Sequence, residues 1–278
     1  MDKLGLMNVA HRQSRVPDRL TSYFWSADAI RSRSVSEVVF SSTVEIPVPP
    51  ARLTADWERE TNGRLGLEPG DVEALSLARA RARWPDYKHC VQAVSDWTRA
   101  LGLQEVLASS DVALMTCRGA KYHHDGAHYG GMAFCNLFLS EDKGLDLHFP
   151  NTGHRIPLSR GTAVFFDTGQ PHAVIERGNG NGGGGCDANL GGLPSGTDCT
   201  QIFLTWEVPL EDINVSKALH IEFDTDPLTA PPLEEEQVWL NGAPATLCPD
   251  TGRWLQPSRP SDRATYFDRM PASTLAVP

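Results

Sequence analysis

The chain has 278 residues and a formal net charge of −10, with acidic and basic residues intermixed, which excludes a nucleic-acid surface built on a basic stripe. No apolar run approaches the roughly 20 residues that span a bilayer, and Met1-Asp2-Lys3-Leu4-Gly5-Leu6-Met7 lacks the apolar stretch of a secretory leader, so neither membrane nor leader is expected. Cysteines at 90, 117, 135, 186, 199 and 248 form no C-x-x-C pair and no zinc spacing, which predicts reduced thiols in a cytoplasmic protein; Cys186 and Cys199 could close a small loop only on oxidation.

Residues 35–48 carry apolar side chains at Val38, Phe40, Val44, Ile46 and Val48, which predicts one or two strands. Gly70-Asp71 offers an N-cap for a helix running to about Arg83. Over 88–101 a stripe of Val91, Val94, Trp97 and Leu101 at helical spacing predicts a second helix with Trp97 in the core. From 112 onward the pattern changes to short strand-like runs at 112–117, 132–139, 145–149, 155–157, 163–166, 172–175 and 201–208, separated by turns such as Asn151-Thr152-Gly153 and Ser159-Arg160-Gly161. The fold class expected is mainly β with flanking α-helices, arranged as a jelly-roll-like double sheet.

The low-complexity stretch at 178–196 is glycine-rich, but a strand rather than a helix follows it, so a phosphate-cradling loop is disfavoured. A rim insertion remains, either a lid or a tolerated surface loop. Residues 226–236 form a Pro- and Glu-rich linker, and Asn241-Gly242 between apolar residues predicts a two-residue hairpin. A further turn at Pro249-Asp250-Thr251-Gly252 precedes Trp254. This meander either covers the barrel or makes a homodimer contact. The organisation expected is N-terminal strands and buttressing helices at 1–104, a catalytic core at 105–210 and a C-terminal extension at 211–278.

His123-His124-Asp125, followed 47 residues after the aspartate by His172, is the motif that carries chemistry. Two neutral imidazoles and one carboxylate are the ligand set of a non-heme Fe(II) site that keeps three positions open. The strand at 112–117 runs through Arg118 toward the first ligands, and a barrel can bring His172 beside them.

The HxD at 123–125, Leu137-Phe138-Leu139-Ser140, the run from Ile156-Pro157 to Pro171-His172-Ala173-Val174, and Ile202-Phe203-Leu204-Thr205-Trp206 together resemble the Fe(II)/2-oxoglutarate-dependent oxygenases, in their prolyl-hydroxylase-like branch. The resemblance covers roughly residues 105–210. It implies a double-stranded β-helix (jelly-roll/cupin-like) barrel, iron held by His123, Asp125 and His172, and 2-oxoglutarate chelating the iron with one position left for O2. The reaction it implies is hydroxylation of a small molecule or an amino-acid or peptide residue, with release of succinate and CO2. An aspartate at 125 disfavours halogenation, because a halide needs that coordination position.

In the family a basic residue on the last core strand meets the far carboxylate of 2-oxoglutarate, because a guanidinium matches a carboxylate bidentately. The matching position here falls on about Thr200, with Gln201 beside it, and neither is cationic. Arg118 is the first substitute to consider, ahead of Arg155 and Arg177, for which a surface role is the better reading. Asn136 shares an inward face with Phe134 and Phe138, so its amide needs a partner that a cosubstrate carboxylate would supply. Arg118, Asn136 and Gln201 are therefore the candidate cosubstrate contacts.

Among the other histidines, His124 is expected to face away from the metal, His128 to lie near substrate, His148 to be a satisfied interior residue and His154 to sit on a turn. Two other classes of function stay open. One is a cupin-like metalloenzyme with the same triad and no 2-oxoglutarate; the other is a non-catalytic binding barrel.

Overall fold

The computed structural model describes residues 18–68, 70–178, 199–224 and 236–255. The stretch at 179–198 with Cys186, most of the linker at 226–236 and the first 17 residues lie outside them. In chain order the elements are β1 (Leu20–Ser26), β2 (Ala29–Ser34), β3 (Val39–Thr43), α1 (Ala51–Arg59) running into a π-helical turn (Glu60–Leu65), β4 (Val72–Leu75), α2 (Leu77–Arg83) and α3 (Tyr87–Ala100). There follow β5 (Asp111–Cys117), β6 (Ala120–His123), β7 (Met132–Phe138), β8 (Leu145–Phe149), β9 (His154–Pro157), β10 (Thr162–Asp167), β11 (His172–Glu176) and β12 (Gln201–Pro209). The chain closes with α4 (Ile213–Ala218), β13 (Gln237–Leu240), β14 (Ala243–Pro244), β15 (Thr246–Leu247) and β16 (Trp254–Leu255). The protein is thus mainly β with few helices, and its strands pair antiparallel.

The eight strands from β5 to β12 pair from the outside inward: β5 with β12, β6 with β11, β7 with β10 and β8 with β9. A long hairpin rolled upon itself gives this pattern. The pairs fall alternately into a six-stranded sheet, β3-β10-β7-β12-β5-β4, and a four-stranded sheet, β6-β11-β8-β9. Side chains alternate between faces along each strand. On one face of the large sheet Phe138, Val164, Phe166 and Phe203 join Leu145, Leu147, Phe149 and Val174 of the small sheet in a shared core. On the other face Ile202, Leu204, Trp206 and Val208 pack with Leu53, Trp57, Trp84 and Val94 from the helices. Helices therefore buttress the outer face, and the inner face looks onto the small sheet.

Most sequence-predicted strands fall where expected, and the 88–101 helix appears as α3 with Val94 fully buried. The helix expected to start at Gly70-Asp71 does not. Gly70, at φ +99°, turns the chain, the Asp71 carboxylate accepts from the Glu68 amide, and residues 72–75 become β4 on the edge of the large sheet. Helix α2 begins only after Ser76, whose hydroxyl caps the Arg79 amide. The 35–48 segment yields one strand, with Val48 left exposed. The Asn241-Gly242 turn forms as expected, both residues at positive φ, and its strand β13 joins β1 and β2 in a third sheet. Segments at 1–104 and 211–278 are thus interleaved: they share that sheet, and β3 and β4 supply both edges of the large one. No helix among the described residues is long and apolar enough to cross a membrane.

Candidate metal centre

The pairing of β6 with β11 explains how residues distant in sequence meet. His123 ends β6, His172 begins β11, and the two are cross-strand partners with ring centroids 4.4 Å apart. A register shift follows His172, a bulge of the kind that re-aims side chains beside functional sites. Each ring places Nδ1 against a backbone carbonyl, His123 on that of Lys121 at 2.7 Å and His172 on that of Gln170 at 2.9 Å. A carbonyl only accepts, so Nδ1 carries the hydrogen, and in the neutral ring that a metal ligand requires, Nε2 presents its lone pair. Both Nε2 atoms turn to one carboxylate: that of His123 is 3.9 Å from Asp125 Oδ1, and that of His172 is 3.4 Å from Oδ2. One ligand atom from each of the three residues lies within 4.8 Å of the others.

The donor set and its tautomers fit a divalent transition metal. Burial pushes the His172 imidazole well below its ordinary range, which keeps it neutral and able to ligate. Burial raises the Asp125 carboxyl, while the neighbouring histidines oppose the rise. A cation there favours the ionised form.

The loop carrying Asp125 is held by its neighbours. The Asp125 amide donates to the Thr168 carbonyl at 2.8 Å, and the Thr168 hydroxyl lies 2.7 Å from the Tyr129 carbonyl. Gly126 and Gly169 let the two loops meet, since a Cβ on Gly126 would stand 3.1 Å from Gly169 Cα. Below them Asp167 is fully buried and accepts from Arg33 Nη1 at 2.7 Å, Arg33 Nη2 at 2.8 Å, and the Ser36 and Gly169 amides. Arg33 Nε also donates to the Gly130 carbonyl, so one buried guanidinium from β2 ties both loops together.

Along the inner wall Phe166 lies 4.9 Å from His172, followed by Phe134 and then Tyr129 at centroid separations of 6.2 and 5.1 Å. Asn136 and Gln201 face the same space by strand alternation. The Asn136 amide oxygen, both amide atoms of Gln201 and both of Gln170 are buried without a hydrogen-bond partner. Each such group costs about 1–3 kcal/mol unless a ligand or water satisfies it.

Arg118 is elsewhere. It follows Thr116, which faces the helices, and donates to the Thr200 hydroxyl at 3.1 Å, the Leu67 carbonyl at 2.8 Å and the Asn62 side chain. Its guanidinium clamps the π-helical turn to the outer face and does not reach the metal side. Arg118→Ala is expected to lower stability by about 1–3 kcal/mol through these lost bonds, with metal affinity unchanged; denaturant melts and a metal titration check both. Arg177 pairs with Asp142 and Asp146, and Arg155 stands 3.8 Å from Asp146, so both lie outside the space between the two sheets.

The remaining histidines sort by contact. His124 stacks on Trp254 at 4.9 Å, with Nδ1 unpartnered and burial lowering its pKa, so the C-terminal meander covers the back of the HxD. His148 takes the Tyr122 hydroxyl at 2.7 Å and is satisfied, as expected. His128 is exposed beside the site, and His154 starts β9 and does not sit on a turn. Arg33, Asp167, Gln170, Tyr129 and Glu207 were not singled out from sequence. Only the closeness of Asp167 and Gln170 to His172 gave a signal.

No protein-family model and no curated protein matches this chain. Among solved structures it is similar to the viral collagen prolyl hydroxylase from Paramecium Bursaria Chlorella virus-1. A truncated form is 11% identical, covering 62% of this chain and 88% of that one at a TM-score of 0.32. Its 2-oxoglutarate complex is 9% identical, covering 62% and 94% at 0.34. The non-heme alpha-ketoglutarate-dependent epimerase SnoN from nogalamycin biosynthesis is 16% identical, covering 74% and 90% at 0.30.

Proposed function

We propose that the protein is an Fe(II)- and 2-oxoglutarate-dependent oxygenase, a hydroxylase of a small molecule or an amino-acid or peptide residue, whose rolled double sheet is a double-stranded β-helix barrel. The observation that carries this reading is the convergence of two lone-pair-bearing Nε2 atoms on the Asp125 carboxylate. His123, Asp125 and His172 hold the metal on one side, which leaves the other side open for cosubstrate and O2. With both cofactors bound, the centre supplies oxidation of a C–H bond by O2, coupled to conversion of 2-oxoglutarate into succinate and CO2.

The chain's own residues do the positioning. The Lys121 and Gln170 carbonyls fix the imidazole tautomers, and Phe166 and Phe149 flank His172 and keep water from that side. Gln201 is fully buried with its amide unpaired, which supports its use as a donor to the far carboxylate of the cosubstrate, with Asn136, also buried with an unpaired amide oxygen, as the second contact. The pair replaces a guanidinium by neutral amides. Buried cysteines 90, 117 and 135 are free thiols, which agrees with a cytoplasmic setting.

Strands β5, β7, β10 and β12 of the large sheet contain no lysine or arginine. That observation favours a second reading, a metalloenzyme of similar shape that does not use 2-oxoglutarate. Anaerobic addition of 2-oxoglutarate to the Fe(II) protein separates them: the leading reading expects a weak visible charge-transfer band, then succinate on admitting O2. Metal-dependent turnover with neither response supports the second. Gln201→Leu is expected to raise the KM for 2-oxoglutarate about tenfold, the worth of roughly 1.4 kcal/mol, and to leave Fe(II) affinity unchanged; steady-state kinetics and a metal titration read the two.

A further inference from the structure

The inner face of the large sheet ends, on the metal side, in two carboxylates that nothing neutralises. Glu207 on β12 and Asp111 on β5 are register partners, so their side chains leave the same face side by side. Glu207 is also the register partner of Phe134, whose ring contacts Tyr129. The Tyr129 amide donates to the Asp125 carbonyl, which ties this corner to the metal loop. Neither carboxylate makes an ion pair or hydrogen bond among the described residues. Like charges directly opposite on paired strands destabilise a sheet, and partial burial compounds the cost: it raises the Glu207 carboxyl, with Asp111 adding to the rise.

A second observation concerns the next pair inward. Asn136 faces the same way, opposite Thr205, and its amide oxygen is an acceptor with no donor in a side chain only 8% exposed. Asp111, Glu207 and Asn136 thus present acceptors and no cation. Phe166, which touches His172, is separated from Glu207 by two strand steps, β10 to β7 to β12, or about 10 Å at the usual spacing. A ligand bridging that span would place one end at the metal and the other at the carboxylates.

We propose that the substrate is a cation, with an ammonium or guanidinium group seated between Glu207 and Asp111 and the carbon to be oxidised at the metal. This deepens the oxygenase reading and rests on it for the second half alone. Tyr129 and Phe134 form the wall between the two ends, where an alkyl chain packs and a cation gains from the ring faces.

The test uses the Fe(II)-loaded protein under argon with 2-oxoglutarate present, titrated calorimetrically with agmatine and with neutral 1,4-butanediol. Agmatine is expected to bind at least tenfold tighter, to weaken with added salt, and to lose about tenfold in affinity in Glu207→Gln, with a smaller loss in Asp111→Asn. Removing one of two opposed carboxylates should leave the Tm equal or higher, so weaker binding cannot come from unfolding. Equal affinity for the two probes, no saturable binding of either, or unchanged agmatine affinity in Glu207→Gln overturns the proposal. Cosubstrate binding is read separately in the same protein by the visible band. Agmatine binding without that band overturns the oxygenase reading and leaves the cation site standing; the band without agmatine binding does the reverse.

Discussion

His172→Ala is expected to abolish iron-dependent turnover and to weaken Fe(II) binding by more than 100-fold, while the protein stays folded. The bound follows from what lesser changes do: losing an outer hydrogen-bond partner of a ligand typically costs about 10–100-fold, and losing the ligand must cost more. The ring is buried between Phe166 and Phe149, so truncation also leaves a cavity, and a loss of about 2–4 kcal/mol in stability is expected alongside. His172→Gln separates the two effects, since it refills most of the volume without an imidazole lone pair. Two controls sharpen the assignment. His124→Ala changes a ring stacked on Trp254, and His128→Ala an exposed one, so both should retain metal binding within a few-fold. Retained turnover in His172→Ala, or metal loss in His128→Ala equal to that in His172→Ala, would sink the triad. Metal titration under argon, followed by oxygen-dependent product formation, reads both.

The triad was legible because its chemistry sits in three residue types at a recognisable spacing, and the strands of the two packed sheets because each is a short apolar run closed by a turn residue. What the sequence could not carry was the face on which a residue lies when both faces of a sheet are buried. Residues 201–206 on β12 are buried on both sides, so alternation leaves little trace in hydrophobicity, and Arg118 looked as available to the metal side as to the helices. Only the partners of its guanidinium decide the matter. Edge strand β4 was hidden for a related reason. Val72-Glu73-Ala74-Leu75 has no strand composition of its own, and its conformation is set by pairing with β5. The N-terminal hairpin of β1 and β2 was missed because its use is tertiary: Arg33 is an ordinary surface residue by composition and a fully buried one in the fold.

That buried arginine makes the second large prediction. Arg33 and Asp167 are both fully buried and paired bidentately, and together they connect β2, the loop after β10 and the carbonyl of Gly130 behind the HxD. A buried ion pair is weak evidence of net stabilisation, because desolvation offsets most of the attraction, but removing one partner strands a charge. Arg33→Met and Asp167→Asn should therefore each destabilise the protein by about 3–5 kcal/mol. Asp167→Asn should be the milder of the two, since an amide oxygen can still accept from the Ser36 and Gly169 amides. The double variant Arg33→Met/Asp167→Leu should regain much of the stability, because no unpaired charge remains. It should not regain the metal. With Asp167 gone, the Gly169 amide loses the acceptor that shapes the turn into Gln170, whose carbonyl sets the His172 tautomer. Denaturant melts of the parent protein, Arg33→Met, Asp167→Leu and the double variant give the coupling energy, and Fe(II) titrations of the same four give the functional consequence. If the double variant recovers metal affinity along with stability, the pair is only an anchor for the N-terminal hairpin; if stability returns without affinity, the N-terminal strands are part of the metal site's construction.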